Sequence, residues 1–321
     1  MNVRVLSLLI GIVIAQALTG CDGKQPSATD GVKIDPPKQR FVIVCTTMIN
    51  TEMAQLLAGD LTNPQVEIRG LMQRGDDPHS YVIRPADLQS LREADLVLMN
   101  GLELEATLES LIDEHAKDAV IVRLGEATGV NHISGEGGKP DPHVWMSPAN
   151  YGAMLDRAAD ALARVVTRHG AAIRKRAAAH QSQVTELHKW VQEKAAALPA
   201  DRRTLLASDD GLTYLGNLLG VKIVHLAIDP DAQPTQADRD ALFALVDRGG
   251  AAAVFIDRGD SSIWHDVVAD LGGTRKITVG PALRSHDLAE EREMGETYLG
   301  LIRANVESIV QVLAMETVKP N

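Results

Sequence analysis

A long polar stretch from 171 to 198, rich in Ala, Arg, Lys, Gln and Glu and ended by Pro199, divides this chain. As one helix, at 1.5 Å per residue, it spans about 40 Å. On either side of it, short β-rich runs alternate with segments of helical spacing. The first half has strand runs at 41–45, 65–71, 95–99 and 119–124, with helical segments at 50–58, 85–94 and 103–116. The second half has strand runs at 204–207, 221–226, 252–256 and 275–279, with helical segments at 211–219, 236–248, 261–271 and 288–316. Such alternation implies parallel sheets with helices on both faces. The expected fold is therefore α/β, with two lobes at 41–170 and 199–321, each a four-stranded parallel sheet flanked by helices. A long rigid α-helix at 171–198 joins them. Ser147-Pro148 reads as an N-cap followed by Pro at the first helical position, opening a helical segment that runs to His169. A rigid joining helix permits rocking of the lobes and limits a wide hinge opening.

Composition narrows the function classes. The 32 Lys and Arg against 43 Asp and Glu give a net charge of −11. With no basic block, this argues against a nucleic-acid partner. Two cysteines, Cys21 and Cys45, exclude a disulfide-stapled scaffold. Cys45 reads as a small core residue.

The N-terminus reads as an address. Arg4 precedes an apolar run, Val5 to Leu18, interrupted by Ser7, Gly11 and Gln16. The run is shorter than the roughly 20 apolar residues that span a bilayer and fits a secretory h-region; a retained anchor or a buried strand is the alternative. Leu18-Thr19-Gly20-Cys21 resembles a bacterial lipobox. That resemblance implies a signal peptide at 1–20 and lipidation at Cys21. Residues 21–40, rich in Pro, Gly, Ser, Lys and Asp, read as a flexible tether.

Two of the ten histidines share a context. His79 lies in Gly75-Asp-Asp-Pro-His-Ser-Tyr81 and His143 in Asp141-Pro-His-Val-Trp145. Loops beyond strand ends in open α/β sheets bind ligands, and imidazole is a transition-metal ligand. The other reading is a pair of capped turns whose rings bond only backbone. Trp145 is placed to shield the site. Asp257, at a strand end, is placed to line the cleft or to cap a turn. His180 and His188, on the polar joining helix, read as solvated.

These loops, the joining helix, 208–215 and the tail 298–307 together resemble the zinc/manganese substrate-binding lipoproteins of bacterial ABC importers. The resemblance covers 41–313. It implies metal bound between two lobes, with His79 and His143 as ligands from the first. A His or Glu usually follows in a Ser-His-Asp-like string; here Ser208-Asp209-Asp210-Gly211 stands there. Asp209 is thus the candidate ligand of the second lobe, with Asp210 as a helix cap. A carboxylate there favours an oxygen-tolerant metal, manganese or iron, over a strict zinc site. Where family members usually carry Asp before Pro, this chain has Gly280. The candidate fourth ligands are then His286 and Asp287, against the reading that Ser285-His286-Asp287 only starts the last helix. The segment 131–140 is short and Gly-rich, unlike the long His-rich loop of many zinc members.

The implied function is that of a monomeric, lipid-anchored binding protein on the periplasmic or extracellular face of the cell membrane. It would capture a divalent transition metal, zinc or manganese with iron also open, and deliver it to an ABC permease and its ATPase, without catalysis. Two other readings stand beside it. One is a diverged binder that has lost metal and holds another small ligand or a partner. The other is a metallohydrolase, since two His and a carboxylate also describe a catalytic zinc site.

Overall fold

The computed structural model describes residues 38, 40–62, 65–226, 234–248, 250–259, 262–275 and 277–315. The expected signal peptide, Cys21 and nearly all of the tether lie outside them. Among the described residues no helix is long and apolar enough to cross a membrane.

The first half runs β1 (Phe41–Cys45), α1 (Met48–Ala58), β2 (Val66–Gly70), α2 (Pro85–Glu93), β3 (Leu96–Met99), α3 (Ala106–His115), β4 (Val120–Arg123) and α4 (Pro148–Val165). The joining helix is α5 (Gly170–Ala196). Then come β5 (Thr204–Ala207), α6 (Thr213–Leu219), β6 (Lys222–His225), α7 (Gln236–Asp247), β7 (Ala253–Phe255), α8 (Ser262–Thr274), β8 (Thr278–Val279) and α9 (Tyr298–Ala314). The strands form two all-parallel sheets with the same order, β2-β1-β3-β4 and β6-β5-β7-β8.

Burial on both faces explains why the strands read as short continuous apolar runs. Ile43 and Cys45 point to one face of β1, Val42 and Val44 to the other, and both faces are covered. Cys45 is a buried free thiol whose pKa burial pushes up. Local chemistry sets the helix starts. Thr47 accepts from the Asn50 N–H ahead of α1, and Ser147 does the same for Asn150 with Pro148 first in α4.

Two helices start well after their expected positions. The third begins at Ala106 rather than 103, because Gly101, Leu102 and Glu103 take left-handed backbone. The last begins at Tyr298, not 288. Its cap is Thr297, and Arg292 and Gly295 at φ 69° and 105° keep 288–297 out of a helix.

The stripe Ile173, Ala177, His180, Val184, Leu187 and Val191 is buried along α5. Its alternating three- and four-residue spacing is one helical face. That face packs on α1 and α4, and on α6 and α9. One apolar core therefore runs unbroken from Ile43 through Leu155 and Leu187 to Phe255 and Ile309, with a smaller outer core on each sheet. His180 was expected in solvent. It is instead buried, edge-on to Tyr151 at 6.0 Å between ring centroids, with Nδ1 3.0 Å from Gln183 Oε1. His188 is half-buried.

The two halves also meet at a tyrosine pair. Tyr151 of α4 and Tyr298 of α9 stack at 3.4 Å and 3°, and Tyr298 Oη donates to the Trp145 carbonyl at 2.9 Å. Glu52 of α1 lies against the pair and accepts from Tyr151 Oη at 3.3 Å. Burial raises its carboxyl to about 7, against hydrogen bonds from the Tyr298 backbone and the Tyr151 hydroxyl that pull it down.

A carboxyl whose pKa is higher folded than unfolded stabilises the fold while neutral. That contribution is complete below the unfolded value of 4.5 and is lost as pH rises to about 7. We expect Glu52→Gln to remove this decline, the difference from the parent growing to at most about 3 kcal/mol. Urea unfolding of both metal-free proteins below pH 4.5 and above pH 7 measures it. Parallel trends for the two would mean that Glu52 titrates as it does in water.

Candidate metal centre

Asp-Pro-His forms the same local device twice. Asp77 Oδ1 accepts the His79 backbone N–H at 2.9 Å, and Asp141 Oδ1 accepts that of His143 at 2.9 Å. Each is a turn closed by an Asp side chain two residues back, which presents the imidazole from the loop. The His79 loop follows β2 and is pinned at its ends by Tyr81 Oη donating to Asp87 at 2.7 Å and by the Arg84–Asp76 pair at 2.8 Å. The His143 loop leads into α4.

Asp141 also accepts from the His143 ring, Nδ1 to Oδ1 at 2.9 Å. The ring proton therefore sits on Nδ1 and leaves the Nε2 lone pair free. His143 is fully buried; burial alone would lower its pKa, but the Asp141 hydrogen bond and the charges of Asp209, Asp210 and Asp141 raise it on balance.

His286 comes from the second sheet, in the segment between β8 and α9. Its Nε2 lies 3.0 Å from His143 Nε2, which in turn lies 3.0 Å from His79 Nε2. Among the described residues, these three histidines bring ligand atoms within 4.8 Å of one another. A neutral imidazole nitrogen offers one in-plane lone pair, so His143 Nε2 cannot satisfy both neighbours by hydrogen bonding. A cation placed between the three rings would take all three lone pairs. Burial first, then the charge of the neighbouring imidazoles, lowers the pKa of His79. Burial also lowers that of His286, outweighing the opposing pull of Asp209. Both rings are thereby biased to the neutral, ligating form.

Asp209 was the expected ligand of the second lobe, with Asp210 as cap. The structure gives the cap to Asp209, whose Oδ1 accepts the Gly211 N–H at 2.7 Å. Its Oδ2 lies 3.5 Å from His286 Nδ1, on the far side of that ring from the converging nitrogens. Burial raises the Asp209 carboxyl pKa, but the imidazoles of His286 and His143 and the Gly211 N–H lower it more. Asp210 is exposed, 3.8 Å from His143 Nδ1.

Asp287, the other candidate fourth ligand, is engaged elsewhere. It accepts from Arg284 Nη1 at 2.8 Å and from the Gly75 N–H at 3.2 Å. With Arg74 Nε donating to the Ala289 carbonyl at 3.0 Å, it ties the His79 loop to the His286 segment. Gly280 has a steric reason to be glycine: a Cβ there collides with the Phe255 ring.

Trp145 is buried, its ring 5.4 Å from that of His143 and 6.2 Å from that of His286. Its Nε1 donates to the Ser285 carbonyl at 2.9 Å. Asp257 accepts the Gly259 N–H at 2.8 Å, capping a turn, and also accepts from Ser285 Oγ at 2.7 Å. Sequence reasoning missed Asp141 as the residue that orients His143. The signal was present, since Asp stands two before His in both loops.

The chain is similar to known metal-binding proteins over most of its length. The manganese-binding lipoprotein MntA of Bacillus subtilis is 29% identical over 303 residues, covering 92% of this chain and 95% of that protein. The zinc-binding protein TroA of Treponema pallidum is 26% identical over 318 residues, covering 97% and 98%. Its solved structure superposes with a TM-score of 0.77 at 25% identity, over 86% of this chain and all of that one. The iron-binding protein YfeA of Yersinia pestis is 25% identical over 276 residues, covering 85% and 86%. Residues 43–312 match the family model described as zinc-uptake complex component A, periplasmic, and the chain belongs to that family.

Proposed function

We propose that this protein captures a divalent transition metal between its two sheets and delivers it to an ABC permease and its ATPase. The observation that carries this reading is the convergence of three imidazole Nε2 atoms from both halves. In it His79, His143 and His286 are the ligands, and the metal is cargo. Asp141 orients His143 through Nδ1, Ser285 Oγ and Asp209 face the Nδ1 of His286 at 3.2 and 3.5 Å, and both carboxylates offset the charge of the ion. Three nitrogen donors suit zinc better than manganese, which revises the preference drawn from Asp209 alone. The relatives named for zinc, manganese and iron support cargo of this class.

The protein is read as a carrier rather than an enzyme. Asp141 and Asp209 each accept a backbone N–H and face an imidazole Nδ1, so both lie behind the rings rather than at the point where the Nε2 atoms converge. The remaining parts of the reading are lipidation at Cys21 after removal of 1–20, a tether at 21–40, a monomeric body outside the cell membrane, and no nucleic-acid partner. Relatives named as lipoproteins support the anchor. Cys21→Ser is expected to abolish membrane partition in fractionated cells expressing the full chain; unchanged partition rules out Cys21 as the anchor.

Calorimetric titration of zinc and manganese tests the ligand set. His143→Ala and His286→Ala should each weaken zinc binding by more than the roughly 10–100-fold typical of an outer partner. Asp209→Asn should fall within that range. Should His286→Ala bind as tightly as the parent, Asp209 becomes the ligand from the second lobe.

Protons compete for the same lone pairs. Because the His143 pKa sits above its ordinary 6.5, the loss of affinity should begin above that pH and deepen as pH falls. An affinity constant from neutral to acidic pH would count against an all-imidazole site.

A further inference from the structure

Gly101, Leu102 and Glu103 follow one another in left-handed backbone, at φ 77°, 58° and 63°. Glycine adopts this freely, whereas two other residues in succession do so at a cost and need something to hold them. Glu105 holds them. Its buried carboxylate accepts from the Asn100 N–H at 2.7 Å, the Gly101 N–H at 3.0 Å and Thr46 Oγ1 at 2.6 Å. Thr46 follows β1 and Asn100 follows β3. These adjacent strands mark the place where the chain changes direction across the first sheet. In open α/β sheets that crevice receives the ligand; here the carboxylate of Glu105 fills it.

The strained turn fixes the side chain of Asn100. Its Nδ2 donates to the Gly101 carbonyl at 3.0 Å and to the Pro142 carbonyl at 2.9 Å. Pro142 lies between Asp141, which orients the His143 ring, and His143 itself. The Asn100 Oδ1 is buried without a hydrogen-bond partner. A buried amide left half satisfied is unfavourable, so its donor half accounts for its placement.

We propose that Asn100, locked by Glu105, is a positioning residue for the metal ligand His143. Its amide fixes the Pro142 carbonyl and so sets the direction of the His143 Nε2 before metal arrives. This rests on the reading of the three imidazoles as the metal site. It assigns the strained turn a role in metal affinity and coordination geometry, beyond fold stability.

The test uses Asn100→Ala, Asn100→Asp and Glu105→Gln in the full chain. The readouts are zinc affinity by chelator competition, the visible spectrum of the cobalt(II)-loaded protein, and melting of the metal-free form. Asn100→Asp keeps the size but sets an acceptor against the Pro142 carbonyl. Both Asn100 variants should weaken zinc about 10–100-fold and shift the cobalt bands. Glu105→Gln should move both readouts the same way, and Asn100→Ala combined with Glu105→Gln should lose no more than the weaker-binding single variant. Parent-like affinity and cobalt bands in the Asn100 variants, with only a lower melting temperature, overturn the proposal. If neither Asn100 variant folds, Glu105→Gln decides on the same readings. A parent that takes up neither zinc nor cobalt overturns the metal-site reading as well; a metal-binding parent with indifferent variants overturns this inference alone.

Discussion

The hydrogen bond from His143 Nδ1 to Asp141 fixes which nitrogen of a buried imidazole faces its neighbours, and much of the molecule converges on the segment that carries it. Tyr214 Oη from α6 donates to the Asp141 carbonyl at 2.9 Å, Tyr298 Oη from α9 donates to the Trp145 carbonyl, and the Trp145 indole donates to Ser285. The segment belongs in sequence to the first half, yet groups of the second half hold it on several sides. The ring therefore keeps its aim relative to His286, a residue 143 positions away, through direct bonds rather than through the distant helices alone.

Charge around the cluster follows the same logic. Desolvation disfavours the protonated forms of His79 and His286, whereas at His143 the neighbouring carboxylates outweigh it. Asp141 fixes the His143 tautomer from the Nδ1 side, while Ser285 Oγ and Asp209 lie 3.2 and 3.5 Å from the Nδ1 of His286. His79, the most exposed of the three, is held by its loop, and the loop is held across the cleft through Arg74 and Gly75.

Much of this was legible in the residues. Strand runs such as 41–45 and 204–207 are buried on both faces and contain little else, so their extent follows from composition. Ser147-Pro148 names its own helix start. The errors fall where a tertiary demand overrode local preference. Residues 288–294 are mostly good helix formers, yet left-handed Arg292 and Gly295 break the run and Ala289 is tied to Arg74 of the first half. Reading it as helix made His286 look like a mere helix start. The 101–103 turn was hidden because a buried carboxylate, Glu105, holds two left-handed non-glycine residues in place by bonds to the Asn100 and Gly101 N–H groups and to Thr46 of another strand end. His180 was misplaced because its neighbours on α5 are polar; only the 173–191 stripe, read at helical spacing, shows the buried face.

The unbroken core beneath α5 has a consequence for how such a chain can be rearranged. Two sheets of identical strand order suggest interchangeable modules, each able to be replaced by its counterpart from a relative. The face of α5 belongs to both halves at once, packing on α1 and α4 of the first, α4 most extensively, and on α6 and α9 of the second. A crossover between relatives placed anywhere along that helix unites half-interfaces shaped for different partners, leaving voids and clashes in a core packed to near-crystalline density. Recombination is tolerated only where the helix and all the faces that it touches travel together. Change can therefore enter through the loops that carry the imidazoles, while the two halves remain a single heritable unit.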